Sequence, residues 1–173
     1  MILVEADVSE AWDSRTDWSA LAERAVRAAI GHSRHAQLIG SEAEVSVKFT
    51  SDAEVRALNA EWRDKDRATN VLSFPMAEEK ALGTPAASLL GDVVLAHGVC
   101  AAEAAQRKVP IETHASHLVV HGTLHLLGYD HETSDADAEL MEETERKALA
   151  SLGIADPYLV VEASPEHANE VQS

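Results

Sequence analysis

One eleven-residue stretch, His121-Gly-Thr-Leu-His125-Leu-Leu-Gly128-Tyr-Asp-His131, constrains this chain more than any other segment. Residues four apart on a helix lie one above the other with Cβ atoms roughly 6 Å apart, so the imidazoles of His121 and His125 can converge on one ion. Gly128 is the residue type that adopts the left-handed conformation ending a helix, and such a turn lets His131 approach from off the helix as a third ligand. The chain must therefore run a helix through His121 and His125 and stop it at Gly128. Three neutral imidazoles suit zinc, although the spacing alone also permits iron, nickel or copper.

Structural zinc is normally closed by four protein ligands, whereas catalytic zinc keeps one position open. No fourth ligand is evident. Asp130 is adjacent to His131, and Cys100 has no motif around it. An open site with room for a reactive water is the expectation. The same offsets occur in the metzincin protease pattern H-E-x-x-H-x-x-G-x-x-H. There a glutamate follows the first histidine as general base; here that position is Gly122. The metal cage is kept and the peptidase base is missing.

The rest of the sequence alternates strand and helix. Period-two patterning predicts strands over Ile2–Val8 and around Val45, Val47 and Phe49. Between them Trp18, Leu21, Ala22, Ala25, Val26, Ala29 and Ile30 follow helical spacing behind Asp17 as N-cap. Ser51 and Glu54 form a capping-box pattern opening a second helix that fades near Trp62. Further strands are expected at Val71–Phe74, stopped by Pro75, and at Leu89–Leu95, separated by a loop with Gly83 and Pro85. Helices follow from Gly98 to Lys108, from Pro110 through His114, His117, His121 and His125, and from Ser134 or Asp135 to Gly153. This predicts an α+β fold: a small mixed sheet of about four strands packed with helices, with a central helix carrying the metal-binding histidines.

With 173 residues, 46% of them apolar, a single domain over 1–173 is expected, with 159–173 as a loose tail. No apolar run approaches the roughly 20 residues that cross a bilayer. The N-terminus carries acids where a secretory signal carries Lys or Arg, so a cytoplasmic protein is expected. The single cysteine, Cys100, cannot form an internal disulfide and is expected to be packed. A net charge of −16 argues at first against a nucleic-acid partner. Yet residues 1–23 hold six acids against one base, and 132–173 hold eleven against two, so residues 24–131 are nearly neutral. The acidity is a solubilising feature of the terminal segments.

HGTLHLLGYDH, together with LNAEWRDKDRATNVLSFP at 58–75 and LLGDVVLA at 89–96, resembles the YbeY family, over about 42–158. That resemblance implies a zinc-dependent, single-strand-specific endoribonuclease of α+β fold. It implies a role in maturing the 3′ end of small-subunit ribosomal RNA and in ribosome quality control. The partners it implies are single-stranded rRNA and the small ribosomal subunit with its proteins, with no DNA and no membrane. It makes His121, His125 and His131 the ligands of one Zn2+ and Arg63 the functional arginine. Asn70 departs from the pattern, since many relatives carry Asp there. A guanidinium can pair bidentately with phosphate, which suits Arg63; Lys65 and Arg67 lie close by, with Asp64 and Asp66 between them. His117 is read as a partner of the ligands or a packed histidine, His114 as a surface residue, and Trp62 and Phe74 as core aromatics. His97 and Asp92 are candidates to approach a cleft. The alternatives are a zinc peptidase-like metallohydrolase and a non-catalytic ribosome- or RNA-binding factor with structural zinc.

The histidine spacing predicts that purified protein carries about one zinc per chain and that His121→Ala or His125→Ala removes it. Elemental analysis is the measurement, and full occupancy in the double variant would overturn the ligand assignment.

Overall fold

The computed structural model describes residues 2–40, 42–84, 87–130 and 133–158. His131, Pro85 and the tail 159–173 lie outside the described residues. The chain runs β1 (Ile2–Val8), α1 (Trp18–His32), β2 (Ala43–Thr50), α2 (Asp52–Arg63), β3 (Val71–Pro75), β4 (Leu89–Ala96), α3 (His97–Arg107), α4 (Ile111–Leu126) and α5 (Asp135–Ser151). The strands form one mixed sheet in the order β1-β2-β4-β3. β1, β2 and β4 are parallel neighbours, and β3 runs antiparallel along β4, with Val71 opposite Leu95 and Pro75 opposite Gly91. The α+β expectation holds. No described helix is long and apolar enough to cross a membrane.

The two faces of the sheet are covered differently, and strand alternation decides which side chain goes where. On β4, Val93 and Leu95 join the main core with Ala43, Val45, Val47 and Phe49 of β2 and the buried faces of α1, α4 and α5. Their neighbours Val94 and Ala96 point the other way, where with Leu72 they meet Val55, Leu58 and Val99. So α2 covers one face of the sheet, while α4 lies on the opposite one.

Local signals explain the helix starts. Asp17 accepts from the Ala20 N–H at 3.0 Å, and Ser134 from the Asp137 N–H at 3.0 Å. At α2 only half of the capping box forms. Ser51 accepts from the Glu54 N–H at 3.2 Å, but the Glu54 carboxylate turns away to Lys48 and the Thr50 hydroxyl. A cation outcompetes a backbone amide for it. Trp62 is not core: 68% of it is exposed, because the inward stripe of α2 ends with Val55 and Asn59.

α4 is the centre of the main core. From His114 to Leu126 every residue is buried except His121 and His125. Its end is a Schellman turn: the Tyr129 N–H reaches the Leu124 carbonyl at 3.0 Å, and the Gly128 N–H the His125 carbonyl at 3.1 Å. Gly128 has φ +95°, as this motif requires. The turn is then anchored. The Tyr129 hydroxyl accepts from the Arg34 N–H at 2.9 Å, and the Arg34 guanidinium lies 4.0 Å over the Tyr129 ring.

Where β3, β4 and α4 converge, Gly91 has φ +145°, and a Cβ there would lie 2.3 Å from the Phe74 carbonyl oxygen and 2.8 Å from Leu126 Cδ2. Gly91→Ala is therefore expected to destabilise the protein by about 3 kcal/mol or more. Gly31 in α1 has open space around it, so Gly31→Ala should stabilise by about 0.5–1 kcal/mol. Denaturant unfolding checks both, and equal effects would show that the close approach at Gly91 is not what fixes it.

Candidate metal centre

Because α4 is buried almost all round, its polar side chains have to find partners on neighbouring elements. Four histidines run along it with ring centroids 5.8, 6.3 and 4.7 Å apart, from His114 through His117 and His121 to His125. His114, expected at the surface, is buried. Its Nε2 lies 2.7 Å from Oε1 of Glu103 on α3, which also accepts from Asn70 Nδ2 at 3.1 Å. Burial alone would raise the Glu103 carboxyl; the bonds from His114 and Asn70 outweigh it and hold it below the usual range. An amide at position 70 suits this contact, since a second carboxylate would repel Glu103.

One turn on, Glu145 of α5 enters the row. Its Oε2 lies 2.9 Å from His121 Nδ1 and 3.2 Å from His117 Nε2. The Tyr158 hydroxyl donates to Oε1 at 2.8 Å. Burial would push the Glu145 carboxyl up, but the hydrogen bonds and charge of His117 and His121 bring it down to about 2. Burial is also the main reason that His117 binds a proton less readily than an ordinary imidazole. Nδ1 of His117 is buried and has no hydrogen-bond partner among the described residues.

On the outer side, His121 Nε2 and His125 Nε2 are 3.2 Å apart. Two nitrogens bonded to one tetrahedral ion at 2.0–2.1 Å stand about 3.3–3.4 Å apart, so this pair already has the spacing of neighbouring ligands. His117, His121 and Glu145 form another group that could hold a metal, with ligand atoms all within 4.8 Å of one another. The two arrangements share His121 and differ in the nitrogen used. Glu145 meets Nδ1, on the sealed side; His125 meets Nε2, on the side where α4 reaches solvent. In the first, His117 and Glu145 are buried; in the second, both histidines are half-buried.

Arg63 is exposed at the end of α2, and among the described residues no hydrogen bond or ion pair joins it to the histidines. Asp66 pairs with Arg56 at 2.8 Å. His97 stacks edge-on against Trp12 at 5.1 Å and does not join the row. Asp92 is half-buried on β4, opposite Phe74. Phe74 is half-buried beside the α2 cluster. Cys100 is fully buried, and burial pushes its thiol up to about 12.

The comparisons with known proteins decide the family. The family model described as endoribonuclease YbeY matches residues 7–153. This chain belongs to the endoribonuclease YbeY family. An endoribonuclease YbeY of Novosphingobium aromaticivorans is 51% identical over 91% of this chain and 96% of its own. One of Rhizorhabdus wittichii is 50% identical over 94% and 99%. The solution structure of a Thermotoga maritima protein superposes with a TM-score of 0.58 at 26% identity, covering 88% of this chain and 89% of that one. The family places the chain among nuclease hydrolases.

Glu145 and Tyr158 were missed by the sequence reading. One signal was present: Met141, Thr144, Glu145, Ala148 and Leu149 form the buried stripe of α5, and an acid inside such a stripe needs a reason to be there.

Gly122 explains the missing peptidase base. It faces the sheet, where a Cβ would lie 2.7 Å from Val93 Cγ1 and 3.0 Å from Ser73 Oγ; the same serine hydroxyl donates to the Gly122 carbonyl at 3.1 Å. There is no space for a carboxylate. Gly122→Ala is expected to cost about 1–3 kcal/mol by overpacking, and Gly122→Glu to prevent native folding. Thermal unfolding of both variants tests this. A stable Gly122→Glu protein would show that position 122 is open to the metal side.

Proposed function

We propose that this chain is a zinc-dependent endoribonuclease that cuts single-stranded regions of ribosomal RNA, acting in the cytoplasm on the small ribosomal subunit. His121, His125 and His131 hold the zinc in this reading, and Arg63 binds the phosphate to be attacked. The observation that carries it is the opening in α4: the two histidines that reach solvent from a buried helix have their Nε2 atoms 3.2 Å apart. The relatives' common name, endoribonuclease YbeY, supplies the substrate class.

The donor set fits the ion. Two imidazoles converge, and the carboxylate behind one of them has no Lys or Arg among its hydrogen-bond or ion-pair partners within the described residues. When bound, zinc would polarise a phosphoryl oxygen and make a nearby water more acidic. The protein's own part is to orient His121 and His125, to keep bulk water from the sealed side of the row, and to offer a guanidinium. Arg63 is exposed on a left-handed turn at Asp64, with φ +59°, so its planar donors are accessible to a bound strand. A peptidase is disfavoured by the packing around Gly122.

Cleavage should be seen on single-stranded RNA, be lost on chelation, return with zinc, and be absent from His121→Ala protein prepared in parallel. Arg63→Ala should keep zinc and fold while lowering the rate about 10–100-fold, the worth of a charge-assisted phosphate contact, and Arg63→Lys should recover part of it. Gel assays on labelled RNA provide the test. An unchanged rate for Arg63→Ala removes that residue from the reaction, and zinc-loaded protein that leaves RNA intact points to a binding factor.

A further inference from the structure

Glu145 occupies a position that burial makes expensive for a carboxylate. It stands in the buried stripe of α5 between Thr144 and Ala148, and its side chain is 1% exposed. Among the described residues its hydrogen-bond partners are two imidazoles and one phenol. A buried carboxylate is costly unless hydrogen bonds and nearby positive charge compensate it; here three hydrogen bonds do much of that, and a cation close by would add to them. A dication on the far nitrogen of His121 would be that cation, one imidazole ring away.

The geometry also fixes the tautomer. A neutral imidazole carries one N–H, and a carboxylate 2.9 Å from Nδ1 holds the proton there. Nε2 is then the electron-pair donor, and it faces Nε2 of His125. The carboxylate itself is held at both ends. His117 donates to the oxygen that His121 uses, while the Tyr158 hydroxyl donates to the other. Tyr158 is set in turn by its N–H to Asp156 Oδ1 at 2.8 Å and by its ring edge against His117, 5.7 Å between centroids. Asp156 faces Arg146 of α5 at 3.8 Å. The segment that follows α5 thus folds back over Glu145 and stops the carboxylate from rotating.

We infer that Glu145 is the positioning residue for His121 and that Tyr158 holds Glu145 in that position, neither of them being a ligand of the metal. The inference rests on the proposed zinc site at His121, His125 and His131. It assigns a function to the segment after α5: Tyr158 completes the support of the site from outside the helix that carries it.

The test uses the full chain and measures zinc affinity by competition with a chromogenic chelator. Glu145→Gln should bind zinc 10–100-fold more weakly, yet still reach one zinc per chain at saturation. Tyr158→Phe should weaken binding by a smaller factor. Failure to load zinc at saturation in folded Glu145→Gln would make Glu145 a ligand and overturn the inference, as would unchanged affinity. A readout independent of zinc is the tautomer of His121 in metal-free protein, from nitrogen-15 shifts of the ring. The Nδ1–H form is expected in wild type and a mixture in Glu145→Gln, with unfolding of each variant recorded to separate loss of fold. An Nε2–H wild type would overturn the inference even if zinc binds. If wild type shows the Nδ1–H form but His125→Ala binds zinc as tightly as wild type, the proposed ligand set fails while the Glu145 contact stands.

Discussion

Everything around the candidate site follows from one constraint: α4 is buried on nearly all sides and yet carries four histidines. A polar ring in a core has to be hydrogen-bonded, and the sheet on one side of α4 offers few donors or acceptors. The partners therefore come from flanking helices. α3 supplies Glu103 to His114, and α5 supplies Glu145 to His117 and His121. These contacts fix where the helices sit along α4, and apolar packing of Leu118, Val119, Leu124, Met141 and Leu149 fills the space between them. Only His121 and His125 are left facing outward, and the row of imidazoles changes there from structure to chemistry.

Close approach by glycine makes this geometry possible. Gly91 lets β3 and α4 crowd onto β4, and Gly122 lets the middle of α4 sit directly on Val93. Both contacts lie on the flank of α4 that faces the sheet, about a quarter-turn around the helix from the outward histidines. The sheet supports the helix from that side, and the Schellman turn at Gly128, pinned by Tyr129 and Arg34, holds its end. The two imidazoles are thus placed by a rigid wall beside them and an anchored turn ahead. Little of this depends on the acidic outer face of α5, where Asp135, Asp137, Glu139 and Glu143 are exposed. The charge that counts against an RNA partner in the composition is, in α5, solvent-exposed, while the one buried acid there, Glu145, is taken up by the histidines.

Much of this was legible in the sequence, because periodicity and caps are local. The strand pattern at Val45–Phe49, the Asp17 cap and the turn at Gly128 each concern a few neighbouring residues, and each formed where its residues predicted. The errors came from non-local facts. His114 reads as a surface residue because a histidine on a polar-looking helix start usually is; its burial depends on Glu103, eleven residues earlier on another helix. Glu145 lies 24 residues from His121, and no spacing rule links α5 to α4 before the fold exists. Trp62 reads as core since large aromatics usually are, yet whether α2 extends its inward stripe that far depends on how long a sheet it has to cover. The sheet order and the antiparallel β3 are likewise products of pairing, which strand patterning alone leaves open.

Packing accounts for the departure from the metzincin pattern at Gly122. A glutamate one position after the first ligand lies about 100° around the helix from it, and it can serve as a base only if that direction opens toward the metal and its water. In this fold that direction is filled by β3 and β4, so a glycine is the residue that fits. The histidine spacing is the same, but the side where the base would stand is filled. What remains beside the two outward histidines is a pair of oriented nitrogens and a carboxylate sealed behind them. Such a set is poorly suited to a neutral amide, whose hydrolysis needs an adjacent base to activate water. It suits a substrate whose reacting group is already anionic and has to be neutralised and held, because there the main electrostatic demand is for positive charge rather than for a proton acceptor. A phosphodiester is such a substrate. The packing of one glycine thus removes the peptidase base, in keeping with the family assignment.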